Sequence, residues 1–225
     1  TNNVKLPSGS SNLKDIVVSP DGKYAYVTHT LGKTNLPTTH ITKGWVITNA
    51  VTIIDAQQQD VYTTFILDRM TEGAADPWGL AISNDSKTLW VTASGKHQVI
   101  KVDVGHIHYL LEGNGPSFPS SFSGVPSYFQ HHGPDLARNM RYRSKQSLPA
   151  QYRTISDVWL KIKDDPANAN LLKNDLGALW GIGALEIIDL PGQGPRDISL
   201  SPDGSSVAVG AYFAGEVYII DAVTN

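Results

Sequence analysis

The sequence predicts an all-β protein built from a repeated unit of short antiparallel strands. A Ser-Pro-Asp-Gly turn occurs at residues 19–22 and 201–204, and Ser-Asn-Asp-Ser at 83–86 takes the same place in a further copy. Proline suits the first corner of such a turn and glycine the position that closes it. In the second and third copies, twenty residues separate the turn serine from the aspartate that ends the third strand (83 to 103, 201 to 221). Strand units that recur in register predict a β-propeller, in which each unit forms one blade.

The three copies predict three four-stranded antiparallel blades, at about 13–67, at 77–104 together with 185–190, and at 194–222. In the first copy the serine-to-aspartate distance runs from 19 to 55, so about sixteen residues are inserted, and residues 31–40 resemble a polar surface loop. Residues 4–6 align with residues 188–190, which predicts that both are fourth, outermost strands. Three blades cannot enclose an axis, so we expect the chain to form part of a larger propeller.

Residues 105–184 separate the third and fourth strands of the second blade and predict a mainly helical insertion. Ile155, Val158, Trp159 and Ile162 have the i, i+3, i+4, i+7 spacing of an amphipathic helix. Pro166 predicts the first turn of a second helix that continues to about residue 176. An alternative stays open, because residues 111–116 resemble residues 190–195 and could mark a degenerate blade within 107–184.

Composition excludes several functional classes. The formal charge of −3 and the lack of a basic cluster argue against binding nucleic acid through its phosphates. No apolar run reaches the roughly 18 residues that a membrane helix needs. The chain has no cysteine, so disulfides, thiolate metal sites and covalent haem attachment through a C-x-x-C-H motif are excluded. No cofactor is therefore predicted in this chain.

Candidate binding residues converge on one face of the predicted blades. Strand direction alternates within a blade, so connections between strands two and three share a face with the connections between blades. Lys14, Trp78 and Arg196 align at the start of the three inner strands. Two cations and an aromatic ring could bind an anionic ligand or a partner protein, or they could serve the fold by bonding carbonyl groups of the next blade. The candidate ligand-binding or partner-binding residues are His29, His40, Trp78, Arg196 and Tyr212.

Histidines and carboxylates give no assembled catalytic or metal site. His106 and His108 could reach one metal ion from a strand, but no carboxylate or thiolate is spaced to complete the set, so no metal is predicted. His29 could act as a ligand or base, or it could simply bond the long loop beside it. Asp55, Asp103 and Asp221 end their third strands identically, which favours turn hydrogen bonds over catalysis. The sequence contains no G-x-S-x-G motif and no phosphate-binding glycine loop.

The second strands read Tyr-Val-Thr-His at 26–29 and Trp-Val-Thr-Ala at 90–93. With these motifs the chain resembles YVTN-type, surface-layer-like β-propellers. More narrowly, it is similar to bacterial proteins in which such a propeller precedes a di-haem, cytochrome c peroxidase-like domain. The loop motifs that support this are LPTT at 36–39, GW at 44–45, TNA at 48–50, IID at 53–55, GAADPWG at 73–79, NDL at 174–176 and GQGPR at 192–196.

The resemblance implies a propeller of about seven blades in the periplasm or at the cell surface, with haem on an associated domain. The chain departs from that pattern, because it holds too few blades and no haem domain. Two functional hypotheses follow. The first is a non-catalytic domain that docks a protein partner, or further blades, and serves a redox module. The second is a propeller enzyme, either a lactonase-like hydrolase or a dehydrogenase, with its site on the face that bears His29, Trp78 and Arg196.

Overall fold

The computed structural model describes residues 2–33, 46–69, 72–114 and 156–222, which contain three antiparallel β-sheets of five, four and three strands. Blade 1 contains β1 to β5, blade 2 contains β6 to β9, and blade 3 contains β10 to β12. In chain order the strands are Ser10–Ser11, Ile16–Val18, Tyr24–Gly32, Ile47–Asp55, Asp60–Ile66, Pro77–Ile82, Thr88–Ala93, Gln98–Asp103, Leu185–Asp189, Pro195–Leu200, Ser206–Ala211 and Glu216–Asp221. The predicted partial β-propeller with a helical insertion is confirmed.

The repeated turns form as the sequence predicts. In each copy the turn serine donates its hydroxyl hydrogen to the aspartate two residues later, at 2.5 Å for Ser19, 2.5 Å for Ser83 and 2.6 Å for Ser201. The serine oxygen also accepts a backbone N–H from the start of the returning strand. The predicted hairpin of β2 and β3 is present, with Ile16 opposite Val27 and Val18 opposite Ala25.

The aspartates that end the third strands of blades 1 and 2 accept hydrogen bonds from backbone N–H groups of the residues that follow. The Asp55 carboxylate accepts the N–H groups of Gln57 and Gln58 at 2.9 and 2.8 Å. The Asp103 carboxylate accepts the N–H of His106 at 2.8 Å, and so begins helix α1 (Val104–Tyr109). The predicted turn role is confirmed at these two positions.

The described part of the insertion is helical. Helix α1 continues into a π-helical turn at Leu110–Asn114, and after the undescribed residues come α2 (Val158–Asp164), a 3-10 helix (Pro166–Asn174) and α3 (Ala178–Gly181). Val158, Trp159 and Ile162 are buried on one side of α2, as their spacing predicts, whereas Ile155 lies outside the described residues. The second predicted helix begins at Pro166, where the Asp165 side chain caps it, but it has 3-10 geometry.

The N-terminal segment differs from the prediction. Residues 4–6 form no strand, and blade 3 has three strands in the described chain, with Glu216–Asp221 as its last. The segment that follows lies against β3 of blade 1, where the N–H of Gly32 donates to the Gly9 carbonyl at 2.8 Å and Ser10–Ser11 pairs with Thr30 and Leu31. A Cβ on Gly9 would overlap the Gly32 carbonyl oxygen, so this approach requires glycine.

Two apolar clusters join the blades. The larger one combines residues from blades 1 and 2 with the described helices, including the fully buried Phe65, Leu89 and Trp159. The smaller one joins blades 2 and 3 around Trp90 and Val209. None of the described helices is both long enough and apolar enough to cross a membrane.

Candidate functional site

Lys14, Trp78 and Arg196, which align near the start of the first strand of each blade, stack with two aromatic residues that follow the second strand of blade 3, Tyr212 and Phe213. We call these five residues the axial cluster. Lys14 Nζ lies 4.0 Å from the centroid of the Trp78 ring, and Arg196 Cζ lies 4.3 Å from the same centroid. Arg196 Cζ also lies 4.1 Å from the Tyr212 centroid and 5.1 Å from that of Phe213. Each blade therefore contributes to one continuous surface feature.

Threonines of the second strands fix the positions of these side chains. Thr28 Oγ1 donates to the carbonyl oxygen of Trp78 in the next blade at 2.7 Å, and Thr92 Oγ1 donates to that of Arg196 at 2.9 Å. The sequence allowed Lys14 and Arg196 themselves to bond the carbonyls of neighbouring blades. The structure gives that task to the threonines, so both cations are left to contact aromatic rings.

The two cations of the axial cluster, Lys14 and Arg196, form no ion pair with any residue that the structure describes. Among the described residues, no carboxylate lies within 4.0 Å of the Lys14 ammonium or the Arg196 guanidinium. The nearby carboxylates have other partners, because Asp76 accepts Trp78 Nε1–H at 2.7 Å and Asp15 accepts the N–H of Leu80 at 2.8 Å. Arg196 Nε is buried and makes no hydrogen bond within the described chain. Lys14 and Arg196 thus lie against aromatic rings without an ion pair to any described carboxylate.

Exposed aromatic side chains extend the axial cluster. Tyr212 and Phe213 are each 65% exposed, although their rings lie 5.2 Å apart in an edge-on arrangement and both approach Arg196. Tyr212 was predicted from its position after the second strand, whereas Phe213 was missed. The loop containing both residues is placed by backbone bonds from Tyr212 N–H to Gly194 O and from Phe213 N–H to Gln193 O.

His29 does not join the axial cluster. Its side chain is 0% exposed on β3, and its two ring nitrogens lie 3.0 Å from the Thr30 carbonyl oxygen and 2.7 Å from Thr52 Oγ1. Burial lowers the pKa of His29, so the ring is neutral at pH 7. Of its predicted roles, the structure favours local hydrogen bonding, here to β4 as well as to its own strand. His40 lies outside the described residues.

A second aromatic cluster, which sequence reasoning missed, surrounds His108. The His108 ring stacks on Tyr24 with 4.1 Å between centroids and on Tyr62 at 5.9 Å, and His108 Nε2 lies 2.9 Å from the Tyr26 hydroxyl. His106 and His108 lie on helix α1 and not on a strand. The described residues contain no group of three or more His, Asp or Glu side chains that could hold a metal ion.

Comparisons with known proteins give a relative by sequence and similar solved structures. The chain matches no known family profile. It is 37% identical over 102 residues to hydrazine synthase subunit beta from Kuenenia stuttgartiensis, a match that spans 45% of this chain and 26% of that protein. A solved structure of Kuenenia stuttgartiensis hydrazine synthase superposes with a TM-score of 0.62 and 26% identity, over 96% of this chain and 47% of that one. The β-propeller domain of Cps50 (Swd1) from Myceliophteria thermophila superposes with a TM-score of 0.43 and 14% identity, over 96% of this chain and 42% of that one. The chain thus spans about a quarter to a half of the hydrazine synthase chains that it matches.

Proposed function

We propose that this chain is a non-catalytic β-propeller domain that docks a partner protein through the axial cluster. The observation that carries the proposal is a set of exposed aromatic rings and of cations that no described carboxylate pairs, gathered at one end of the blades. Arginine, tryptophan and tyrosine are the residues that most often dominate binding energy in protein interfaces. The described residues supply such anchors, but they do not bring a base, a nucleophile and an oxyanion-stabilising group together.

Similarity supports a partner that belongs to an enzyme assembly. The relative identified by sequence is, by its name, one subunit of an enzyme that forms hydrazine. We extend this to a redox partner that carries haem, and to a periplasmic or cell-surface location, as the resemblance to YVTN-type propellers beside di-haem peroxidase-like domains implies. Under this proposal, haem chemistry belongs to the partner and the propeller supplies position.

Photo-crosslinking in cells of the organism that encodes the protein tests the proposal. A benzophenone amino acid is placed at position 212 in the axial cluster, and in a matched variant at position 203, in a turn at the opposite end of the blades. We expect a discrete adduct at 212 and none at 203, and mass spectrometry should identify a protein with C-x-x-C-H motifs. Equal adducts at both positions, or none at either, would contradict docking through this end.

The alternative of a propeller enzyme, either a lactonase-like hydrolase or a dehydrogenase, places its site on the same face. That reading needs His29 as a ligand or base, and the burial of its ring among Thr30 and Thr52 argues against it. Turnover of simple lactones, or NAD-dependent oxidation of alcohols, by the purified chain would favour the enzyme. We expect neither.

A further inference from the structure

We infer that the axial cluster recognises an extended acidic segment of a partner protein, with carboxylates at positions i and i+2 and an apolar side chain at i+4. This inference rests on the proposed docking function and names the chemistry of the partner. It starts from a feature that the fold does not require, namely two cations placed against one indole ring.

The arrangement of charge argues for an anionic occupant. Lys14 and Arg196 both contact Trp78, so their charges lie at most about 8 Å apart and repel each other. Each is attracted by the face of the ring, but no described carboxylate lies within 4.0 Å of either cation. The carboxylates of Asp15 and Asp76 are already engaged by N–H donors. A carboxylate brought by a partner would relieve the repulsion and satisfy the guanidinium.

The spacing of the cations argues for a strand-like segment. Residues i and i+2 of an extended chain lie about 6.6 Å apart and point to the same side. Lys14 Nζ and Arg196 Cζ lie 4.0 and 4.3 Å from the Trp78 centroid, so their separation can reach that distance. Adjacent residues of an extended chain point to opposite sides and could not both face this ring. Tyr212 and Phe213 also contact Arg196, and their exposed rings offer an apolar surface for the side chain at i+4.

The exposed aromatic rings argue for a protein segment over a small free anion. A free oxyanion would use the two cations and leave Tyr212 and Phe213 in water, each 65% exposed. A peptide that carries an apolar residue beside its carboxylates covers both kinds of surface. Aromatic and arginine side chains at the centre with water-excluding neighbours are the usual anatomy of a binding hot spot.

Synthetic peptides test the inference on the full chain. The probe is acetyl-Asp-Thr-Asp-Thr-Leu-amide, which places two carboxylates and the leucine on one side of an extended chain. Matched probes replace both Asp by Asn, or reorder the peptide to Asp-Asp-Thr-Thr-Leu. Binding is followed by NMR through the indole N–H signal of Trp78, which is assigned with the Trp78→Phe variant, and it is repeated at low and high salt.

We expect the first peptide to bind about tenfold more tightly than either matched probe, since one charge-assisted hydrogen bond is worth about 1.5 kcal/mol or more. Arg196→Gln and Lys14→Gln should each weaken it about tenfold, whereas Lys87→Gln, an exposed lysine at the opposite end of the blades, should leave it unchanged. Amide spectra of each variant report whether the fold is kept. If Arg196→Gln disturbs the fold, Lys14→Gln alone tests the contribution of a cation to peptide binding.

Three outcomes would overturn the inference. Equal affinity for the Asn peptide would mean an apolar site, and displacement by acetate at the same concentration as peptide would mean a small-anion site. No shift of the Trp78 signal with any probe would mean that acidic segments are not recognised. Each of these outcomes leaves the crosslinking result at position 212 standing, so failure of the inference and failure of the docking proposal are distinguishable.

Discussion

The junction of blades 1 and 2 and the junction of blades 2 and 3 share one backbone plan. In both, a second-strand threonine donates its hydroxyl hydrogen to the carbonyl of the second residue of the next blade's first strand, Thr28 to Trp78 and Thr92 to Arg196. The same hydroxyl oxygen accepts an N–H from its own blade, that of Asp15 at 3.2 Å or Gly79 at 2.8 Å. Each threonine side chain thus hydrogen-bonds both its own blade and the next blade, and the sequence repeats this threonine at the same position of the second strand.

The two junctions differ in what is packed behind that hydrogen bond. The first holds the larger apolar cluster, to which helices of the insertion contribute Ile107, Trp159 and Leu172. The second holds six buried residues, namely Ala81, Trp90, Val99, Val207, Val209 and Ile220. Since stability follows buried apolar area, we expect the first junction to hold far more of the folding free energy. The threonine hydrogen bond fixes how two neighbouring blades meet, and the apolar cluster behind it determines how stable the junction is.

The largest expected effect comes from removing a large side chain of the larger apolar cluster. Trp159 is fully buried and donates its indole N–H to the Ala178 carbonyl at 2.8 Å. Trp159→Ala should lower the free energy of unfolding by about 3–5 kcal/mol in urea denaturation followed by circular dichroism. Val217→Ala, at a side chain that is 69% exposed, should change it by less than about 0.5 kcal/mol. Similar values for the two variants would refute the assigned packing.

Acid should weaken the first junction through His108, which joins helix α1 to blade 1. Burial lowers the pKa of His108 from 6.5 to about 4, with Asp21 opposing the change slightly. The unfolded chain therefore binds the proton more readily. The stabilising contribution is present above pH 6.5 and is lost as the pH falls towards 4, by up to about 3 kcal/mol.

The His108→Gln variant isolates that contribution, because it keeps His29 and every carboxylate. The loss of unfolding free energy between pH 7 and pH 4 should be smaller in His108→Gln than in the wild type. Identical pH profiles for the two proteins would mean that His108 titrates as it does in water. Hydrogen exchange should further show that acid first releases amides of α1 and the facing strands of blade 1.

How far the sequence predicts this molecule depends on whether a feature is local and repeated. Spacing predicts the turns at Ser19, Ser83 and Ser201 and the alignment of Trp78 with Arg196, because each copy repeats the same local bonds. It also predicts the helix at Trp159, because the apolar residues there follow the period of a helix. The cluster of Tyr24, Tyr62 and His108 does not, because its members come from different strands and a helix with no repeated spacing. Residues 4–6 show the same limit, because the following residues Gly9–Ser11 pair with β3 of blade 1 in a way that the repeat does not predict.

A smaller effect is expected where the second junction is most closely packed. A Cβ added to Gly79 would overlap the Arg196 carbonyl oxygen and would lie 3.1 Å from Ile198 Cγ2. Gly79→Ala should therefore force blades 2 and 3 apart, at a cost of about 1–3 kcal/mol. Gly210→Ala is the matched control, because its Cβ would meet nothing closer than Asp197 Cβ at 3.8 Å. Equal stability of the two variants would contradict this close approach.

An effect of similar size to that of Gly79→Ala is expected from removing the threonine hydrogen bonds, compared between the two junctions with Thr28→Val and Thr92→Val. Valine keeps the shape of threonine but leaves one carbonyl and one N–H without their partner, which costs about 1–3 kcal/mol. Native-state hydrogen exchange can then report where that cost is felt. Behind Thr28 the large cluster should hold blades 1 and 2 together, so amide protection should fall evenly across both. Behind Thr92 the cost is a larger share of a small interface, so amides of Ser206–Ala211 and Glu216–Asp221 should lose protection while those of blade 1 keep theirs. If both variants lower protection in the same residues, the junctions are equally strong, and buried apolar area does not rank them.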